Sequence, residues 1–94
     1  LLALLAGVGG CGSYADADPL TYEYAKALFS ICNRRSDSQL QPVREQIEQA
    51  RSDQKLSRRE ADWLIDIIED ASAGEWESAL SDARKLMEDQ VQGR

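Results

Sequence analysis

Three aspartates recur at intervals of four residues in the second half of the chain: Asp62, Asp66 and Asp70. A spacing of four places side chains in one row along a helix, so this row could help to hold divalent cations. Such a site needs further ligands, and the chain contains no histidine, the commonest metal ligand and general base. A di-metal carboxylate bundle also requires carboxylates that face inward from several helices. We therefore interpret the row as a solvated acidic edge whose possible function is electrostatic docking of a basic partner.

Two other stretches are similar to ligand-binding motifs but lack their context. A G-x-G-x-x-G pattern ends at Gly12, yet it is followed by a polar linker, residues 13–18, instead of the helix and βαβ unit that dinucleotide binding requires. Residues 49–60 resemble a calcium-binding EF-hand loop, with Asp53 at a ligand position. However, Arg51 stands where a carboxylate is needed and would repel the cation. We expect no metal and no cofactor.

The chemistry that the sequence supports best concerns Cys11. Residues 1–10 carry no charge and no polar side chain, and they lead through Val8, Gly9 and Gly10 to that cysteine. Ten helical residues span about 15 Å, half of a bilayer core, which suits the hydrophobic region of a secretion signal better than a membrane span. The run Val8-Gly9-Gly10-Cys11 resembles the lipobox of bacterial lipoproteins. The resemblance implies cleavage before Cys11, acylation of its thiol and new amino group, and a place in the bacterial cell envelope, lipid-anchored and facing the periplasm or the exterior.

This resemblance predicts the organisation of the chain. Residues 1–10 are the hydrophobic region of a signal peptide truncated at its start, residues 11–18 hold the lipidated cysteine and a linker, and residues 19–94 form a helical domain. The gene should encode Met and at least one Lys or Arg just upstream. A plain secretory signal or a mere apolar leader is the alternative, and a Cys11–Cys32 disulfide would exclude lipidation.

Composition bounds the remaining possibilities. A chain of 94 residues has room for one domain, and its net charge of −6 argues against general binding to nucleic acid. The charge is uneven, because residues 33–59 carry a net of +3 and residues 60–94 a net of −7. Oppositely charged surfaces could favour packing of the helices on each other or a polar partner, but solvated faces of both signs are the preferred explanation.

Apolar periodicity predicts four helices joined by short turns. Asp18-Pro19 is an N-cap followed by proline, and it begins the first helix. Ser57-Arg-Arg-Glu60 is a capping box that begins the third helix, with Leu56 placed for a hydrophobic staple, and Gly74 ends that helix. The predicted boundaries are about 19–35, 38/42–52, 57–73 and 75–92. No stretch alternates as a strand does, so the fold class is all-α, and the wide apolar arcs of helices 1 and 3 place them at the centre with helices 2 and 4 as flanks.

Two residues of helix 3 leave a choice open. A helix that packs on one side only needs no more apolar residues than the predicted core stripe, and Trp63 and Ile67 widen the apolar arc beyond it. Either helix 1 covers both residues, which makes them core, or they form a small exposed patch beside the aspartate row. An aromatic anchor with a charged rim is typical of a binding hot spot. The predicted core stripe is Ala61, Leu64, Ile65, Ile68 and Ala71.

The same region resembles a single tetratricopeptide repeat. The sequence "GEWESAL", residues 74–80, matches the family's Gly-x-aromatic-x-x-Ala-hydrophobic signature, and Trp63 stands at an aromatic position of the preceding helix. Ile67 replaces the usual small residue, and no closing proline follows. The resemblance implies helical hairpins and a tetratricopeptide-like bundle, but not peptide binding, which needs several stacked repeats.

Taken together, the sequence predicts a small membrane-anchored bacterial lipoprotein whose helical domain binds another protein and is not an enzyme. The predicted sites are lipidation at Cys11 and partner binding at Trp63, Ile67, Asp62, Asp66 and Asp70. The alternative is an inhibitor or immunity-type helical protein that neutralises a basic partner. A third class, an exported carrier of a metal or ligand, is disfavoured by the missing histidine.

Overall fold

A computed structural model describes the backbone of residues 19–92 and the side chains as far as residue 89. The described backbone is an all-α bundle without strands. Cys11, the predicted signal region 1–10 and the linker lie outside the described residues. The helices are α1 (Pro19–Arg34), α2 (Leu40–Ser52), α3 (Arg58–Ser72) and α4 (Trp76–Gln92), and a 3₁₀ turn (Asp37–Gln39) precedes α2.

The predicted capping box begins α3, and its glutamate, Glu60, also forms a hydrogen bond to another helix. Ser57 has extended backbone angles, and its hydroxyl accepts a hydrogen bond from the backbone N–H of Glu60 at 3.0 Å. The Glu60 carboxylate accepts from the Ser57 hydroxyl at 3.2 Å and from the hydroxyl of Thr21 on α1. The residue that caps α3 therefore also joins it to α1.

Three helices end in the same backbone arrangement. After α3, Gly74 has φ +86°, and the N–H of Glu75 bonds the carbonyl of Asp70 at 2.9 Å. Such a six-residue closure with one left-handed residue is a Schellman motif. Arg35 after α1 and Gln54 after α2 occupy the same position with φ 51° and 63°, although neither is glycine. Only the glycine was predictable from the sequence as a cap, because glycine is the residue type that favours a positive φ.

Contacts between named side chains define the direction of the helices. Thr21 and Glu60 bring the starts of α1 and α3 together. Arg44 near the start of α2 pairs with Glu69 near the end of α3 at 3.4 Å, so α2 runs antiparallel to α3. The guanidinium of Arg84 on α4 lies 5.7 Å from the ring centroid of Phe29 on α1. Cys32 and Trp76 line one small cavity, which places the start of α4 beside the end of α1.

Helix α3 is the centre of the bundle because it contacts each of the other three helices. The most extensive contact, however, joins α1 to α4, while α1 and α2 touch each other little. Helix α4 is therefore as much a core element as α1, and only α2 is a flank. Burial follows from this arrangement. The buried apolar residues are Ala25, Leu28, Ile31, Cys32, Leu40, Val43, Ile47, Ala50, Leu56, Ala61, Leu64, Ile67, Ile68, Ala71, Ala79, Ala83 and Leu86.

Candidate functional site

The predicted aspartate row lies on a larger acidic surface. Asp62, Asp66 and Asp70 lie in one row along α3, as a spacing of four residues requires. Asp62 and Asp66 are exposed, and Asp70 is half-buried. Glu69 extends the row on α3, and Asp82 adds a carboxylate from α4. We call these five residues, Asp62, Asp66, Glu69, Asp70 and Asp82, the acidic surface.

Mutual repulsion within the acidic surface is visible in its proton affinities. Partial shielding from water raises the pKa of the Asp66 carboxyl, and the charges of Glu69, Asp62 and Asp70 raise it further. Burial likewise raises the pKa of Asp82, and Asp70 and Asp66 add to the shift. The effect on Asp82 shows that the carboxylates of α3 and α4 share one electrostatic environment.

Few cations compensate this charge. Glu69 pairs with Arg44 at 3.4 Å, and the Ser78 hydroxyl donates to Asp70 at 3.4 Å. Among the described side chains, no cation forms an ion pair with Asp62, Asp66 or Asp82. The surface is therefore a concentrated negative field, which is suited to attracting a positively charged partner.

Trp63 and Ile67, predicted as a pair, are separated by the structure. Ile67 is 3% exposed and belongs to the core. Its assignment to a partner-binding patch is therefore corrected in favour of the core alternative, because so little of its side chain is accessible to a partner of the folded domain. Trp63 is half-buried against the core, and the Arg59 guanidinium lies 5.3 Å from its ring centroid. Trp63 thus keeps an accessible part beside Asp62 and Asp66.

The burial of Ile67 has a simple geometric reason. Three helices surround α3, so the buried arc extends on the side of Glu60 and Ile67 and leaves Ile65 only partly buried at the opposite edge. The predicted stripe placed Ile65 inside instead. A helical wheel gives the width of an apolar arc, but the positions of the neighbouring helices decide which edge is covered.

Other candidate chemical groups have structural roles. Cys32 is 2% exposed, and burial raises the pKa of its thiol, so the thiolate needed for reactivity is disfavoured. Among residues 19–92, no group of three or more His, Cys, Asp or Glu side chains is arranged to hold a metal ion.

Sequence reasoning missed two features. Asp82 was not connected with the row on α3, since nothing local to α4 shows which helix it faces. Thr21 was missed as the buried partner of Glu60, although a threonine four residues before the buried Ala25 is a visible signal of a polar contact within an apolar face.

No known protein family matches the chain, and neither a curated protein nor a solved structure is significantly similar to it. In the described part of the chain, no helix combines the length and the apolar character that crossing a membrane would require.

Proposed function

We propose that this protein is a bacterial lipoprotein that is anchored in the cell envelope through acylated Cys11 and whose helical domain binds a basic protein partner. The lipobox-like residues 8–11 support the anchor. The acidic surface supports the partner, and it is the observation that carries the proposal. The domain acts by binding and not by catalysis.

The argument for a basic partner starts from the cost of the acidic surface. Like charges at a spacing of four on a helix destabilise it by about 0.2–0.5 kcal/mol for each pair, and Asp62, Asp66 and Asp70 contain two such pairs. The raised pKa values of Asp66 and Asp82 have the same origin in part. A partner that brings Lys or Arg side chains relieves this repulsion and gains complementary charge.

Trp63 supplies the apolar part of the proposed interface. Its ring is anchored by packing on the core, so little side-chain entropy is lost on binding. Aromatic residues beside a charged rim are common anchors of protein interfaces. The proposed binding surface therefore consists of Trp63 with the neighbouring carboxylates of Asp62, Asp66 and Asp70.

The binding test is affinity capture from membranes by the full chain, with mass-spectrometric identification of what is retained. The triple variant Asp62→Asn, Asp66→Asn, Asp70→Asn should lose capture of the same protein that the unmodified chain retains, and added salt should weaken capture by the unmodified chain.

A matched control removes three carboxylates outside the acidic surface, with Asp37→Asn, Glu45→Gln and Glu48→Gln. Equal loss in both triple variants would mean that only net charge matters, and unchanged capture by the first variant would contradict the proposed surface.

The anchor is tested separately. Cys11→Ser should abolish lipid labelling and move the protein from the membrane to the soluble fraction, since each buried methylene of an acyl chain contributes about 0.8 kcal/mol and two or more chains give lasting anchorage. Cys32→Ser is the control, because Cys32 is buried and has no part in anchoring. Identical fractionation of Cys11→Ser and the unmodified chain would contradict the anchor.

The acidic surface also favours a second candidate, an inhibitor or immunity-type protein that neutralises a basic toxin or enzyme. Both candidates use the same residues, and the identity of the captured protein separates them. A captured nuclease-like protein whose activity falls when the domain binds would establish the second candidate, whereas a captured envelope protein without such inhibition would establish the first.

A further inference from the structure

The start of α1 lies beside the turn that joins α2 to α3. Leu20 and Lys55 line the same depression, and Thr21 is bonded to Glu60 in the first turn of α3. The chain that leads back to Cys11 therefore enters the domain at this end. The intervening residues 12–18 reach at most about 23 Å.

This end of the domain carries a group of cations that the acidic surface does not neutralise. Arg51, Lys55 and Arg58 are exposed and line an open depression of about 710 Å³. We call these three residues the basic turn. None of the three forms a hydrogen bond or ion pair with another described side chain. Of the two nearby carboxylates, Asp53 accepts from Gln49 at 3.0 Å, and Glu60, which lines the same depression, accepts from the hydroxyls of Thr21 and Ser57.

We propose that the basic turn contacts anionic lipid headgroups of the membrane that holds the Cys11 anchor. This inference rests on the proposed anchoring and adds an orientation to it. Two observations support headgroups as the occupant: the unpaired positive charge of the turn, and its position at the end of the domain that a short tether holds near the bilayer. Attraction to an anionic surface acts within about one Debye length, about 10 Å at 0.1 M salt. A linker that spans at most about 23 Å lets the turn come within that range.

The orientation has a consequence for the acidic surface. Glu69 and Asp70 lie in the last turn of α3, at the opposite end of that helix from Arg58. With the basic turn at the membrane, most of the acidic surface points away from the anionic bilayer, where a basic partner can reach it. The linker itself carries Asp16 and Asp18, so the attraction to the membrane has to come from the turn.

The experiment uses the full chain with Cys11→Ser, so that binding does not depend on acylation. Sedimentation measures its partition onto vesicles of phosphatidylglycerol mixed with phosphatidylcholine, and onto phosphatidylcholine alone. Each basic residue near an anionic surface contributes roughly fivefold in partition. The triple variant Arg51→Gln, Lys55→Gln, Arg58→Gln should therefore bind anionic vesicles on the order of 100-fold more weakly.

The matched control removes the same charge at the other end of the bundle, with Arg34→Gln, Arg35→Gln and Arg44→Gln, and it should bind like the parent. Circular dichroism confirms that both variants are folded. Asp16→Asn with Asp18→Asn should strengthen binding, since it removes repulsion.

The outcomes separate the inference from the proposed anchor. The orientation is overturned if the parent does not prefer anionic vesicles, if both triple variants lose binding equally, or if inorganic phosphate at constant ionic strength displaces the protein, which would make the turn a site for free anions. Lipid labelling of Cys11 tests the proposed anchor independently of vesicle binding. The orientation can therefore be refuted while the anchor is supported, and the reverse.

Discussion

Removing one hydroxyl tests whether Glu60 joins α1 to α3. Thr21 is fully buried, and its hydroxyl donates to the Glu60 carboxylate, which is 9% exposed and also accepts from Ser57. In Thr21→Val a methyl group replaces the hydroxyl at nearly the same volume, so the variant leaves no cavity. Helix propensities of the two residues are also similar. The change therefore isolates the loss of one hydrogen bond to a buried carboxylate.

The expected loss follows from the general cost of such bonds. A hydrogen bond to a charged group contributes about 1.5–3 kcal/mol, and burial of the added methyl group offsets part of this. We expect the free energy of unfolding to fall by about 1–2 kcal/mol, which lowers Tm by about 4–16 °C in a domain of this size. Thermal melts followed by circular dichroism measure both quantities.

A double-mutant cycle makes the test specific. Glu60→Met leaves the Thr21 hydroxyl without its partner, and the double variant removes both polar groups, so its loss should be smaller than the sum of the single losses by about 0.5–3 kcal/mol. Ser81→Ala, at an exposed position of α4, serves as the control and should stay within about 0.5 kcal/mol of the parent. A Tm of Thr21→Val within about 2 °C of the parent, or additive losses in the cycle, would refute this reasoning.

Three further predictions concern the acidic surface, the helix ends and the assignment of Trp63. Asp66→Asn should raise Tm at pH 7, because the pKa of Asp66 is raised above 3.8 in the folded domain and its charged form therefore destabilises the fold. This destabilisation is fully present above the folded pKa, so the gain in Tm should vanish as the pH falls toward 3.8 and below. Gln54→Gly should stabilise the domain by about 0.5–1 kcal/mol, since glycine adopts the left-handed conformation without strain. Gly74→Ala should destabilise it by about 1 kcal/mol through backbone strain alone, because a Cβ at this position meets no atom within 4 Å. Thermal melts in which either effect has the opposite sign would contradict the cap assignment. Ile67→Ala should cost about 2–5 kcal/mol as a core truncation, whereas Trp63→Ala should cost less and reduce partner capture; if Trp63→Ala unfolds as readily as Ile67→Ala, the tryptophan belongs to the core instead.

The fold was predictable where a signal is local. The capping box at Ser57, the glycine after α3 and the apolar periodicities give four helices and boundaries that the structure confirms to within a few residues. The turns at Arg35 and Gln54 were not predictable as Schellman motifs, because neither residue type favours a positive φ. Both side chains are exposed, and backbone hydrogen bonds close the two turns, from the N–H of Ser36 to the carbonyl of Ile31 at 3.0 Å and from the N–H of Lys55 to the carbonyl of Ala50 at 2.8 Å.

The candidate site was likewise predictable only where the signal lies within one helix. The aspartate row on α3 follows from spacing alone, but the contribution of Asp82 depends on how α4 is rotated against α3. Ile67 was assigned to both possible roles, and only the presence of three helices around α3 placed it in the core. Long-range arrangement, and not residue type, decides which edge of an apolar arc remains accessible.

The contact between Thr21 and Glu60 links the stability of the bundle to the proposed orientation at the membrane. It fixes the first turn of α1 against the first turn of α3, so the point at which the linker enters the domain is fixed beside Lys55. If that contact were lost and the first turn of α1 frayed, each freed residue would lengthen the proposed tether by about 3.3 Å, so that the basic turn could lie farther from the proposed anchor. The effective concentration of the turn at the membrane falls as a tether lengthens. In the acylated protein, Thr21→Val should therefore weaken the contact of Lys55 with anionic headgroups even at temperatures where the rest of the bundle remains folded.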